Sequence, residues 1–331
     1  MTVKEIAQLA GTSRGTVDRV LNGRGNVSPD IEKRVREIAE QYNYQPNQLA
    51  RALINSRNRI HIGVVISSLG NPFFDDVLKG IKSSAKKLAS YGVELEIRET
   101  KGYVAQEQID AIHELTESGI DGLAIMPINV PAVAQTLRSL GIPIVTFNND
   151  IDIPKLAFVG CDYYNSGCLS GDMAKLLLPE NGRAAAVIGS FTIEGHMQRV
   201  RGFVDVLSQC AGARVVAQAE NEDDDDTSYR VVKRLIEERE PDLIYFGAGG
   251  IAGGIKAVLE SGRKIKILTV DDTEIVRKYL SDGTIAATVT QQPYYQGENT
   301  IKLLFDYLSS GKAPKEVNFY TENQIKLKSS K

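Results

Sequence analysis

Apolar and polar positions change rhythm once along this chain. Up to about residue 40 the apolar positions recur at helical spacing: Val3, Ile6, Ala7, Leu9 and Ala10, then Val17, Val20 and Leu21, then Ile31, Val35, Ile38 and Ala39. Gly11 ends the first helix, as a residue without Cβ can. Ser13 is placed to cap the second by accepting a backbone N–H bond. Ser28-Pro29 opens the third, with proline where no N–H is needed. From Ile62 the pattern becomes short β-rich runs alternating with helical stretches. IGVVIS precedes a helix near 72–90, VELEIRE one near 104–117 and GLAIMP one near 130–140; PIVTFN and AFVG follow. The rhythm repeats through RAAAVIG, RVVAQAE, LIYFGA, KILTVD and AATVTQ. Strands alternating with helices imply parallel sheets covered on both faces. The predicted fold is an all-α helix-turn-helix head followed by an α/β body of two doubly wound lobes. Ligands of such sheets bind beyond the carboxyl ends of the strands.

The 331 residues exceed what one ordinary core accommodates. With 42% hydrophobic and 24% charged residues, a globular chain is expected. No apolar run approaches the roughly 18–20 residues that span a bilayer, so no membrane partner is expected. MTVKEIAQLAG lacks a signal peptide's apolar region, which predicts a cytoplasmic location. Through Ile60 there are ten Lys/Arg against six Asp/Glu, although the whole chain carries a formal charge of −3. A basic head on an acidic body suggests that the head meets a polyanion. In the second helix Arg14, Gly15, Asp18 and Arg19 fall on the face away from Val17, Val20 and Leu21. Helix, tight turn, helix is the motif whose second helix enters the DNA major groove. On spacing alone, an ordinary helical bundle with a charged face fits equally well. Cys161, Cys168 and Cys210 match no common zinc spacing and read as buried thiols; His61, His113 and His196 are scattered.

The order of residues in the head distinguishes these readings. IAQLAGTS, TVDRVLN, VSPDIEKRV and NYQPNQLARAL resemble, at the right spacing, the head of the LacI/GalR family of bacterial repressors. The resemblance implies that Arg14, Gly15 and Arg19 lie where the family reads bases. An arginine there can pair bidentately with guanine, worth about 1–3 kcal/mol of discrimination. Ser13, Thr16, Asn22, Tyr44 and Asn47 would contact the phosphate backbone, which fixes register. NQLARALINS resembles the hinge helix, with Leu53, beside Arg51, as the minor-groove wedge. Two positions depart from the family. Asp18 stands where serine is usual and could accept from a cytosine amino group, pair with Arg14 or repel phosphate. Gly15 removes a reading side chain and weakens the helix by ~1 kcal/mol relative to alanine.

SSLGNPFF, GIDGLAIMP and AATVTQQPYYQG make the body similar to periplasmic binding proteins of type I, ribose-binding sensors in particular. That resemblance implies three crossings between lobes, near Gly160, Gln291 and Thr321. It assigns effector binding to Asn71 with Phe73 or Phe74, Asn148, Asn149, Arg199, Asp271 and Gln291. Gly249 and Gly250 depart from it, standing where a ribose-type sensor has an amide and an acid. Asn149 departs too, where arginine is usual. The run at Glu222 to Asp225 lies near a position that is often aromatic.

The resulting domain expectation is a head at 1–46, a hinge helix and linker at 47–60, and an effector-binding and dimerisation body at 61–331. Its first lobe would take about 61–160 and 292–320, and its second about 161–290 and 321–331. Other signals are weaker. GAGGIA fits a dinucleotide fingerprint loosely but lacks its acidic partner. NEDDDD lacks EF-hand spacing and reads as a solvated loop capping the next helix. Glu194 and His196 read as loop residues near the cleft. With no nucleophile, metal or cofactor constellation, neither an enzyme nor a resident cofactor is expected. The leading expectation is a homodimeric regulator that leaves a near-palindromic operator when a monosaccharide or polyol binds. The sign would reverse for a corepressor such as a purine. A solute-binding protein is the alternative of another class, and it would call for a signal peptide or lipid anchor. A dimer is expected because the chain stops soon after ENQIKLKSSK without a leucine heptad tail.

Overall fold

The computed structural model describes residues 2–21, 27–42, 59–191 and 193–330. By contact density it divides into two compact units. One consists mainly of residues up to Arg59, and the other contains Ile60–Ala89, Val93–Leu308 and Lys312–Lys331.

In the small unit, α1 (Val3–Ala10) opens with a capping box. The Thr2 hydroxyl accepts from the Glu5 N–H at 3.3 Å, and the Thr2 N–H donates to the Glu5 carboxylate at 2.7 Å. Gly11 closes the helix at φ 64, a left-handed backbone that favours glycine. After a two-residue turn, α2 (Arg14–Leu21) begins, and the Ser13 hydroxyl accepts from the Thr16 N–H at 3.1 Å as expected of a cap. α3 (Pro29–Gln41) has proline in its first turn, although Ser28 makes no side-chain capping bond. The stripes from the three helices meet in a core of Ile6, Ala7, Ala10, Val17, Val20 and Val35, flanked by half-buried Leu21, Ile31 and Ile38.

The large unit contains two six-stranded sheets. The first lobe runs β1 (Ile60–Leu69), α4 (Phe73–Leu88), β2 (Val93–Lys101), α5 (Ala105–Glu117), β3 (Gly122–Ile125), α6 (Pro131–Arg138), β4 (Ile144–Phe147) and β5 (Ala157–Cys161). The second lobe runs α7 (Tyr163–Leu177), β6 (Gly182–Ile188), α8 (Glu194–Ser208), β7 (Ala213–Glu220), α9 (Asp225–Arg239), β8 (Leu243–Phe246), α10 (Ile251–Glu260), β9 (Lys266–Val270), α11 (Glu274–Asp282) and β10 (Ala287–Thr290). α12 (Pro293–Ser310) and β11 (Asn318–Thr321) return to the first sheet, and β12 (Gln324–Lys326) ends in the second. The strand orders are β11-β5-β4-β3-β1-β2 and β12-β10-β9-β8-β6-β7. All pairings are parallel except β12 on β10. The chain passes between the sheets after Cys161, between Thr290 and Pro293, and between Thr321 and Gln324. The first passage enters the second lobe through α7, and the three lie side by side at the β5/β11 and β10/β12 edges: the Thr321 hydroxyl donates to the Gln291 carbonyl at 2.8 Å and lies 3.3 Å from that of Gly160, and the Asn323 NH₂ donates to the Asp162 carbonyl at 2.8 Å.

The central strands are covered on both faces, which explains their near-continuous apolar runs. Ile62, Val64 and Ile66 face one cluster with Phe73 and Ile301, while Val65 faces another with Ile112 and Leu115. Both lobes also bring two helix backbones into contact through glycine. On Gly80 of α4 a Cβ would lie 2.0 Å from the Tyr294 carbonyl oxygen, and on Gly297 of α12 it would lie 2.1 Å from that of Val77. On Gly167 of α7 it would lie 2.0 Å from the Arg199 carbonyl oxygen, and on Gly202 of α8 it would lie 2.2 Å from that of Tyr164. The second pair presses α8 against α7 and so sets the depth of Arg199. Cys161 is buried, whereas Cys168 and Cys210 are half-buried; all three are free thiols. The expectation of three buried thiols is therefore corrected for two of them: Cys168 lies at the margin of the α7–α8 contact beside Gly202, and Cys210 lies just past the end of α8.

Candidate functional site

Arg14, Gly15, Asp18 and Arg19 share the exposed face of α2, opposite the buried Val17 and Val20. The helical period alone produces this separation. Ser13 is exposed and Thr16 half-buried at the start of the same helix, with their hydroxyls 2.9 Å apart. A Cβ on Gly15 would find only the Ser13 hydroxyl, at 3.8 Å, so the missing side chain reflects no shortage of space. Asn22, Tyr44, Asn47, Arg51 and Leu53 lie outside the described residues.

The second candidate site is the cleft between the lobes of the body. Asn71, Phe73, Phe74, Asn148, Asn149, Arg199, Asp271 and Gln291 all line it. The doubly wound topology brings them together. Asn71 follows β1, the asparagines follow β4, Asp271 follows β9 and Gln291 follows β10, all at carboxyl ends. The Asn71 carboxamide oxygen accepts from the Phe73 N–H at 3.0 Å, which leaves its NH₂ able to reach a ligand. Phe73 and Phe74 meet edge to face at 5.0 Å and form an apolar wall. Asn149 is buried with its NH₂ bound to the Pro127 carbonyl at 2.9 Å, while that of Asn148 reaches Gln296 at 3.3 Å. The Gln291 NH₂ donates to Asp271 at 2.7 Å, and the Gln291 carbonyl accepts from Thr321 at 2.8 Å and Gln296 at 2.9 Å. One passage between the lobes is thus tied directly to a site carboxylate. Asn148, Asp223 and Asp271 all have left-handed backbones, with φ of 58, 55 and 70. Such conformations in non-glycine residues concentrate where the surroundings hold a functional geometry.

Arg199 dominates the electrostatics. It is 3% exposed, lies 4.8 Å over the Tyr163 ring and donates through Nη1 to the Gly247 carbonyl at 2.9 Å. Its Nε and Nη2 have no protein partner. Burial acts against its charge, but the fields of Cys161, Asp271 and the Tyr245 and Tyr163 phenols outweigh this and keep it protonated. Burial itself pushes the Cys161 thiol up to about 12, so near neutrality Asp271 is the anion that matters. Burial raises the Asp271 carboxyl, opposed by Arg199 and the Gln291 hydrogen bond. A buried cation with two unused donors and a carboxylate beside it suit a polar ligand rich in oxygen.

Several further residues line the cleft to which the sequence assigns no binding role. Tyr103 follows β2, Met126 follows β3 and Asp223 follows β7. Tyr163 opens α7 and donates to the Asn148 carbonyl across the lobes. Glu194 and His196 stand in the first turn of α8, not in a loop, because the loop ends at Ile193. His196 lines the cleft and accepts from the Ser190 N–H at 3.2 Å through Nδ1. Burial lowers its pKa to about 4 despite the opposing field of Asp223. The acidic run is also more than a solvated cap. Asp224 caps α9 by accepting from the Thr227 N–H at 2.7 Å, but Asp223 turns into the cleft. Among the described residues no group of three His, Cys, Asp or Glu could hold a metal ion, and no helix is long and apolar enough to cross a membrane.

Residues 62–313 match the model of the periplasmic binding protein domain, and residues 2–47 that of the bacterial regulatory proteins of the lacI family. Catabolite control protein A of Priestia megaterium is 26% identical over 323 residues, covering 93% of this chain and 93% of its own. The ribose operon repressor of Halalkalibacterium halodurans is 26% identical over 281 residues, covering 83% of this chain and 79% of its own. Among solved structures, GanP, a glucose-galactose binding protein from Geobacillus stearothermophilus, is similar with a TM-score of 0.75 at 27% identity, over 82% of this chain and 98% of its own. These relatives are regulators and a binding protein, not enzymes.

Proposed function

The chain belongs to the lacI family of bacterial regulatory proteins and has a periplasmic-binding-protein body, and on that premise we propose how its head and cleft work together. It is a DNA-binding transcriptional regulator. As a homodimer in the cytoplasm it represses carbohydrate-utilisation genes from a near-palindromic operator, and a monosaccharide or polyol in the cleft releases it. Arg14 and Arg19 read base edges, Gly15 leaves a gap in the reading face, and Asp18 selects against an acceptor at its position. Ser13, Thr16, Asn22, Tyr44 and Asn47 hold phosphates, and Leu53 with Arg51 wedges the minor groove. Asn71, Asn148, Asn149, Arg199, Asp271 and Gln291 contact effector hydroxyls, while Phe73 and Phe74 cover an apolar sugar face.

One observation carries the effector half of this reading. The eight residues named from sequence line a single cleft, around a guanidinium buried to 3% exposure with two nitrogens lacking protein partners. A ligand oxygen would satisfy them, and a ligand lacking it would leave them unpaired, which discriminates strongly. The ribose operon repressor and the glucose-galactose binding protein among the relatives support a sugar. The effector changes operator affinity only by its differential affinity for the two states of the body. Affinity selection of genomic fragments on the full chain, at near-physiological salt, tests the DNA half. A near-palindromic consensus beside sugar-handling genes is expected. Recovery of unspecific DNA alone, with and without a sugar and nucleobase panel, would overturn it.

A further inference from the structure

The loop between β7 and α9 reaches the cleft through space that glycines leave open. A Cβ on Gly189 would lie 2.6 Å from both carboxylate oxygens of Asp223, and one on Gly249 would lie 3.0 Å from Oδ1. A side chain at either position would compete with that carboxylate for its seat. With glycine at both, Asp223 Oδ1 accepts from the Gly249 N–H at 2.7 Å. Asn221 braces the turn by accepting from the Asp223 N–H at 3.1 Å and donating to the Gly249 carbonyl at 2.8 Å. The second oxygen, Oδ2, accepts from the Tyr103 hydroxyl at 2.7 Å.

Tyr103 belongs to the other lobe. The three passages of chain join the sheets at their β5/β11 and β10/β12 edges, whereas Tyr103 follows β2 and Asp223 follows β7, the strands at the opposite edges. Their hydrogen bond therefore joins the lobes at the side farthest from the passages, where it opposes opening with the longest lever arm. Asp223 also completes a charge pattern. It and Asp271 line the cleft together with one guanidinium, that of Arg199, and His196 adds a neutral imidazole whose Nδ1 is already used as an acceptor. Among the described residues the cleft thus has no surplus cation for a phosphate or carboxylate, but it has acceptors for hydroxyl protons.

We propose that Tyr103 and Asp223 form a clasp that holds the lobes closed, and that Asp223 supplies the carboxylate absent from Gly249 and Gly250 and selects an uncharged, polyhydroxylated effector over a phosphorylated one. This rests on the cleft being the effector site. Asp223 both recognises hydroxyls and reports closure, because Tyr103 engages it only when the lobes meet.

The clasp can be tested without knowing the effector. The full chain is labelled with 3-fluorotyrosine, and the fluorine resonance of Tyr103 is identified by its loss in Tyr103→Phe. That resonance is expected to move in Asp223→Asn, which keeps the seat but removes the charge. It is also expected to move in Gly189→Ala, which displaces the carboxylate without altering it. A Tyr103 resonance unmoved in both variants would overturn the clasp. The same sample is then titrated with D-ribose, D-galactose and myo-inositol, and with ribose 5-phosphate and galactose 1-phosphate. A neutral compound is expected to bind in preference to the phosphates. Tyr103→Phe should weaken it about tenfold, the scale of one hydrogen bond to a charged group. Asp223→Asn should narrow the preference over phosphate. Preference for a phosphate would overturn the selectivity. Silence of every cleft resonance toward all five compounds would overturn the effector reading and the subsite with it, while the Tyr103 resonance still reports the clasp.

Discussion

His196 makes the stability of the body depend on pH in a calculable way. Its imidazole is held near pKa 4 by burial, against an ordinary value of 6.5. A depressed pKa means that the unfolded chain binds this proton more readily, so the contribution is complete above pH 6.5 and is lost as pH falls towards 4. With these two values, lowering the pH from 7 to 5 removes about 2 kcal/mol from the folded state. The comparison is between the full-length protein and His196→Asn, in which a carboxamide oxygen can still accept from the Ser190 N–H. Denaturant unfolding of both at pH 7 and pH 5 provides the measurement, because the difference cancels groups common to the two chains. The original chain should lose about 2 kcal/mol more than the variant over that interval. Parallel losses in the two proteins would refute a neutral, desolvated His196.

Other perturbations separate the parts of the molecule. Asp271→Ala should abolish the effector response while operator binding persists; a normal response in a release assay would remove Asp271 from the site. Leu53→Ala should weaken operator binding and leave sugar binding intact, and equal loss of both in parallel titrations would sink its hinge role. Gly167→Ala places a Cβ where the Arg199 carbonyl lies 2.0 Å away, so α8 must shift. About 1–3 kcal/mol of stability should be lost, and the effector response with it. An unchanged thermal midpoint would contradict the close packing of α7 on α8.

The cleft residues legible in the sequence are those at the ends of strongly patterned strands. Asp271 ends KILTV and Gln291 ends AATVT, so alternation and topology alone direct them to the carboxyl edge. Arg199 required the family resemblance, because an arginine amid the polar positions of α8 reads as exposed. Its burial depends on Gly167 and Gly202, which become informative only when α7 and α8 are seen in contact. Tyr103 and Asp223 were hidden for another reason. Their partners lie across the cleft, 120 positions apart in sequence, and Asp223 sits in a run whose composition reads as solvated. The usable signal was the departure at Gly249 and Gly250, since a vacancy in a site invites a group from elsewhere. In the head, the periodicity that buries Val17 and Val20 also fixes which side chains are presented. Gly15 has room for a side chain and carries none, so packing does not require the glycine.

The central claim is that the cleft and the head are coupled. Its most direct measurement is the affinity of the full chain for its selected operator, at fixed near-physiological salt, against rising concentrations of each neutral sugar and polyol. Salt must be held constant because phosphate contacts make affinity steeply salt-dependent. At least one neutral compound should weaken operator binding saturably, with Asp271→Ala unresponsive to it. An operator affinity indifferent to every compound that occupies the cleft, or one that such a compound tightens, would contradict it.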